Sequence, residues 1–277
     1  MPVIGSAISP RASMNRPLSQ RLAIILAVVV QIGAGFLPRI GIGEFIGTRS
    51  DAVRTLITPA GWAFAIWGPL FLLSAAFAVW QALPAQRRNP LLARIAWPAA
   101  VALGAQGVWS TYTQLANLTF VSVLIILVSL AGLLVVLRAL VAAPSLSRSE
   151  RIFAAPAFSA LSAWLTAASI VNIAAALKYH GIAGAEPSPV ITAVMIVIGS
   201  LIAAVAAWCV RGAPLYGLVF CWALIAINAA GGQRFELIGL AAVFGIVLVI
   251  FVTVWRLSQH SNRRHWFGEG QARPTLT

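Results

Sequence analysis

The residues able to do chemistry in this chain are few and mostly uncharged. Its apolar runs carry Gln31, Gln106, Gln114, Asn117, Asn172 and Asn228, together with the stretch TPAGWAFAIWGPLF (58–71), where two tryptophans stand five residues apart behind a proline. No Asp, Glu, Lys, Arg or His falls inside a run; Arg138 and Glu236 lie at ends. Ion-coupled transporters and proton pumps rely on an intramembrane ionisable group, metal-dependent membrane hydrolases on His or carboxylate ligands at helical spacing, and serine hydrolases on a Ser-His-Asp set. None of these sets is available. His180, His260 and His265 sit in loops and tails, and Cys209 and Cys221 read as reduced structural thiols. What remains is amide hydrogen bonding between helices, about 0.6–2 kcal/mol for each bond, which does not account for the tryptophans.

Membrane helices must position these groups. The 277 residues are 60% apolar and only 9% charged, too little charge to cover a soluble domain of this size. Spanning the hydrocarbon takes about 20 apolar residues, and charge-free runs fall near 22–38, 60–83, 95–116, 118–137, 152–177, 190–210, 213–233 and 237–255. These predict an all-α integral membrane protein, an eight-helix transmembrane bundle. The break between the third and fourth helices rests on Asn117, Leu118 and Thr119 alone. Eight spans put Arg11, Arg16, Arg21, Arg87, Arg88, Arg94, Arg138, Arg148, Arg151, Arg211, Arg256, Arg263, Arg264 and Arg273 on one side. The other keeps Arg39, Arg49, Arg54, Lys178 and Arg234. The positive-inside rule then places both termini in the cytoplasm. The net charge of +13 is spread over short juxtamembrane stretches, which argues against nucleic-acid binding, and the first span has no cleavage site after it and reads as uncleaved. Residues 1–17 and 258–277 read as cytoplasmic tails without fixed structure. The glycine-containing outer loop at 40–57, with its mixed charge, reads as a mobile lid rather than a packed element.

Ten tryptophans invite the interfacial-belt explanation, which requires them at helix ends. Trp62, Trp80, Trp97, Trp208 and Trp255 satisfy it, and Trp266 falls in the tail. Trp67, Trp109, Trp164 and Trp222 do not. At about 1.5 Å per residue, Trp67 lies roughly 12 Å inside its run, and a deep indole must place its N–H against an acceptor or face a cavity. Trp62 is expected to anchor and Trp67 to line.

Pro59, Trp62, Phe64, Trp67 and Phe71 resemble the second-helix signature of the tryptophan-rich sensory protein, or translocator protein, family. YTQLAN (112–117) resembles its third helix, and Trp164, Ala168 and Asn172 in WLTAASIVN resemble its fifth. The chain departs from that pattern in the spacing of Trp62 and Trp67, in Phe71 where the family has tyrosine, in the short interval from Gln114 to Asn117, and in Ala160 where the family has proline. The resemblance covers residues 18 to about 178. It implies a TspO-like five-helix core (18–180) followed by three additional transmembrane helices (188–257), with an aromatic pocket under the first outer loop. The pocket is expected to take a tetrapyrrole-like or other flat hydrophobic ligand, porphyrin or haem included, as ligand and not as resident cofactor. Expected lining residues are Phe64, Trp67, Phe71, Trp109, Gln114, Trp164, Ala168 and Asn172. Phe64, Trp67 and Phe71 share one helix face, as do Trp164, Ala168 and Asn172. The implied protein is a non-enzymatic sensor in the inner membrane, often a homodimer; the three extra spans motivate an alternative reading as a facilitator or exporter of a small hydrophobic compound.

Overall fold

A computed structural model describes residues 15–182 and 188–268; residues 1–14 of the N-terminal tail, the loop carrying Glu186 (183–187) and residues 269–277 lie outside the described residues. The described chain holds α1 (Leu18–Ala34), α2 (Ile46–Ala52), α3 (Trp67–Ala82), α4 (Pro90–Ala116), α5 (Phe120–Ala142), α6 (Arg148–Tyr179), α7 (Pro189–Cys209), α8 (Pro214–Ile227), α9 (Glu236–Ser258) and α10 (His260–Phe267), and no strand among the described residues. A 3₁₀ turn at Gly61–Ile66 leads into α3 and a π turn at Asn228–Gly232 extends α8. With these extensions seven helices are long and apolar enough to cross a membrane. The eighth, α1, has 17 residues, the lower limit of about 17 for a span.

Local chemistry sets the helix boundaries. A helix start leaves N–H groups without intrahelical acceptors, and here side chains supply several of them. Asn89, Thr119 and Ser188 accept from Leu92, Val121 and Ile191 N–H, and Ser147 forms a reciprocal cap with Glu150. Pro90, Pro189 and Pro214 occupy first turns, where a missing N–H costs nothing. The break between the third and fourth spans is made by Asn117, at φ 78°. Its Oδ1 accepts from Leu118 N–H at 2.7 Å, and asparagine tolerates positive φ better than most residues.

The first five spans close into a ring in the order α3, α1, α4, α5, α6 and back to α3. Small residues let the backbones meet, as in other membrane bundles. A Cβ on Gly107 would lie 2.8 Å from the Val30 carbonyl carbon of α1, and one on Gly132 3.0 Å from the Pro98 oxygen of α4. Outside the ring, α8 packs on α6, α9 on α8, and α7 on α9. α8 also grips the approach to α3. Ala60 N–H donates to the Ala226 carbonyl at 3.0 Å, Trp222 Nε1 donates to the Ala63 carbonyl at 3.2 Å, and Trp62 meets Trp222 edge to face.

The basic segments gather at one end of the bundle. Arg16 N–H donates to the Arg87 carbonyl at 2.8 Å, its guanidinium donates to the Gln81 carbonyl and Oε1, and Asn89 donates to Glu150 at 2.9 Å. Burial, with Arg21 beside it, lowers the Arg16 guanidinium to about 10, so it is still a cation at neutral pH.

Four expectations are corrected here. Residues 40–57, the cover, do contain a packed element, α2: Ser50, Val53 and Ile57 are buried, and Gly43 rests against the Gln114 backbone. Residues 260–267 are a helix, held because Trp266 is buried and its Nε1 donates to the Arg211 carbonyl at 3.2 Å. Trp80 is a core residue, stacked on Phe153 at 5.6 Å, not an interfacial anchor. Pro59, whose missing N–H would suit the first turn of the second span, precedes the 3₁₀ turn by two residues and does not open α3. Trp97, Trp208 and Trp255 are half exposed at helix ends, as belt residues are.

The α1–α4 contact gives a direct test. Gly107→Ala should lower thermal stability in detergent by about 1–3 kcal/mol, the usual cost of overpacking. Gly104→Ala, three residues away, meets only Ala27 Cβ at 3.8 Å and should be neutral or slightly stabilising through helix propensity. Equal melting of the two variants would mean that the close approach at Gly107 does not hold the ring.

Candidate functional site

The aromatic residues of the 3₁₀ turn and α3 converge with those of α4 and α6 at the end of the ring away from the basic segments. Trp67 stacks on Phe71 with centroids 5.5 Å apart and planes at 25°. Its other neighbours are Trp109 at 6.4 Å and Trp164, edge-on, at 5.9 Å. Phe64 meets Trp164 edge-on at 6.5 Å. Such geometries match the preferred arrangements of aromatic pairs, each contributing about 0.5–1.5 kcal/mol beyond burial.

This cluster separates two spaces. The first is a crevice of about 40 Å³ lined by Phe64, Trp109, Leu118, Trp164, Ala168 and Asn172, closed by Ile46 and Ser50 of α2 and by Ala223 and Ile227 of α8. It has room for about one or two waters. The second is a cavity of about 480 Å³ lined by Phe64, Trp67, Phe71, Gln106, Ser110 and Gln114, with Phe36 and Arg39 after α1 and Phe45, Ile46 and Gly47 at the start of α2. That volume lies within the ~300–1,000 Å³ range of small-molecule pockets. The eight residues picked from the sequence thus divide. Phe64 borders both spaces, Trp67, Phe71 and Gln114 the larger, and Trp109, Trp164, Ala168 and Asn172 the smaller.

The buried polar atoms here are of two kinds, partnered and unpartnered. Asn172 is partnered by the protein: its Oδ1 accepts from Trp109 Nε1 at 3.2 Å, and its amide donates to Ser122 Oγ at 2.9 Å. Gln114 donates to the Ala34 carbonyl at 2.9 Å and to Ser110 Oγ at 2.7 Å. Its Oε1 is buried with no hydrogen-bond partner among the described residues, as are Trp67 Nε1 and Trp164 Nε1. The Gln114 carbonyl accepts from Glu44 N–H at 3.0 Å and from Arg49 Nη2 at 3.0 Å, which seats the cover on the end of α4. Arg39 lies over the Phe36 ring at 4.8 Å and supplies a cation to the lining of the larger cavity.

Sequence reasoning missed Phe36, Arg39, Phe45, Ile46 and Ser50. The signal was present in the apolar residues of GIGEFIG, which a solvated loop does not need.

A ring of five spans with an aromatic cavity under a short covering helix defines a class, that of polytopic helical membrane proteins with a ligand-sized space inside the bundle. The chain matches the family model described as TSPO-like protein over residues 18–255, and it belongs to that family. The match runs through α7, α8 and α9, beyond the residues near 178 where the sequence motifs end. No curated protein and no solved structure matches the chain.

Asn172→Leu tests the smaller space. The substitution strands the Trp109 N–H in an apolar interior, so thermal stability should fall by about 1–3 kcal/mol. Unchanged melting would show that the Trp109–Asn172–Ser122 network does not tie α4, α5 and α6 together.

Proposed function

We propose that this protein is a non-enzymatic membrane sensor that binds a flat, hydrophobic, tetrapyrrole-like ligand in the cavity of about 480 Å³. The observation that carries the reading is the stacked pair Trp67–Phe71 in the wall of a space of ligand size. An extended apolar ring laid against that wall exchanges water for aromatic contact. The Arg39 guanidinium in the lining offers a cation for the ligand's polar edge, and a tetrapyrrole with carboxylate substituents suits it. Family membership supports ligand binding in general; the tetrapyrrole class is inferred from the wall. The crevice beside Trp164 and Asn172 is read as packing, so those two residues support the wall from behind. The gathering of basic segments at the opposite end supports an inner-membrane protein with both termini in the cytoplasm, and the cavity facing outward.

Spectral titration of the purified protein with a small porphyrin panel tests the assignment. Trp67→Leu and Phe71→Leu should each weaken binding by roughly 5- to 150-fold, taking about 1–3 kcal/mol per stacked ring by analogy with base stacking. Trp255→Leu, half exposed on α9, should bind like the parent. Trp164→Leu should lower stability more than affinity. Equal affinity across all four variants would remove the cavity as the site, and ligand flux into proteoliposomes would favour a facilitator instead.

A further inference from the structure

The larger cavity has two unlike walls. Opposite Trp67 and Phe71, α4 turns Gln106, Ser110 and Gln114 into the lining, four residues apart each time and so on one helix face. At about 1.5 Å per residue, Gln106 lies roughly 12 Å deeper along α4 than Gln114. Gln114 carries the cover, and Gln106 is the floor. Arg39, the charged side chain of the lining, is exposed in the turn that follows α1. The cavity therefore has its cation at the outer end and an uncharged amide at the inner one.

The direction of the hydrogen bonds behind this face decides what it can read. Gln114 Nε2 gives one proton to the Ala34 carbonyl and the other to Ser110 Oγ. A carbonyl only accepts, so Gln114 cannot be turned round, and the Ser110 oxygen is an acceptor in that bond. The Ser110 hydroxyl proton is left for the cavity. Gln31 of α1, which stands behind the lining, donates through Nε2 to Gln106 Oε1. An amide carries two N–H donors beside its oxygen, and the bond to Gln31 uses the oxygen alone. Both α4 residues thus keep donors on the cavity side.

We propose that Gln106, with Ser110 beside it, is a specificity-determining residue that reads a carbonyl oxygen on the inner edge of the ligand, the edge opposite its charged one. Gln31 is a positioning residue, since it holds the Gln106 oxygen away from the cavity. The inference rests on the larger cavity being the ligand site. A ligand with an alkyl inner edge covers the Gln106 donors without replacing their acceptors, and a buried donor left unmet costs more than a made bond gains. Sites built to hydrogen-bond a ligand reject the analogue that lacks the group.

Fluorescence-quenching titration of the full-length protein with mesoporphyrin and diacetyldeuteroporphyrin tests this. Both carry propionates on one edge; on the other the first has ethyl groups and the second acetyl carbonyls of similar size. The parent should bind the diacetyl compound about tenfold tighter, the worth of one or two hydrogen bonds. Gln106→Leu should bring the ratio of affinities to about one, and comparing ratios cancels the different partitioning of the two porphyrins into detergent. Should Gln106→Leu fail to fold because it strands Gln31, the double variant Gln31→Leu with Gln106→Leu removes both partners and should give the same ratio. Trp67→Leu should weaken both porphyrins and leave the ratio as in the parent. If Trp67→Leu changes neither affinity, the cavity is not the site and the proposed function falls with the inference. If Trp67→Leu weakens both, but the parent binds the two porphyrins equally or the Gln106 variants keep the parent's ratio, the cavity stands and the role of Gln106 is overturned.

Discussion

Gln114 holds together the end of the molecule that contains the aromatic cavity. The last carbonyls of a helix have no partner within it, and at the membrane edge they must find one. At α4 the Gln114 carbonyl finds it in the cover, through the Glu44 N–H and the Arg49 guanidinium, a cation at a helix C-terminus where the dipole favours it. The Gln114 side chain then reaches across to the Ala34 carbonyl, the last residue of α1. One residue therefore fixes the end of α1, the end of α4 and the placement of α2. Those three elements are the side and roof of the larger cavity, and Trp67 and Phe71 are its opposite wall.

The wall is fixed from the other direction. α6 is the most buried of the spans and touches both α3 and α8; its many alanines let neighbours approach on several sides. Trp164 projects from it against Phe64 and Trp67. α8 holds the backbone of the 3₁₀ turn through Ala60 and Ala63. α8 thus braces the approach to α3, and its Trp222 meets Trp62 of the 3₁₀ turn edge to face. A 3₁₀ turn has poorer hydrogen-bond geometry than an α-helix and rarely runs far unaided. The bracing by α8 gives it external partners.

The sequence disclosed the helices more fully than their faces. Seven spans, the shorter apolar helix α1 and the turn at Asn117 were legible because a bilayer admits few ways to satisfy backbone polar groups. Depth along a run also marked Trp67, Trp109 and Trp164, which do meet. What hydropathy does not carry is which side of a membrane helix faces protein, since lipid and core are equally apolar. Trp80 shows the consequence: at a helix end it looked interfacial, yet Phe77 and Phe153 bury it. Trp222 shows the reverse, being deep in its run yet partly exposed. α10 and the cover were missed for another reason. α10 is short and mostly polar, the cover mixes apolar residues with charges, and each is held by a few long-range contacts, such as Trp266 to Arg211 and Gly43 to Gln114. The same limit applies to the pocket. Eight residues read as one site because they share helix faces, but the Phe64–Trp67–Trp164 cluster stands between them and leaves two spaces of very different size.

Photo-crosslinking with a light-activated porphyrin, mapped by mass spectrometry on the parent protein, tests the ligand assignment most directly. Adducts on 36–47 and 61–71, competed away by unlabelled porphyrin, are expected if the larger cavity holds the ligand. Adducts confined to α7 and α9, or unaffected by competitor, would contradict it.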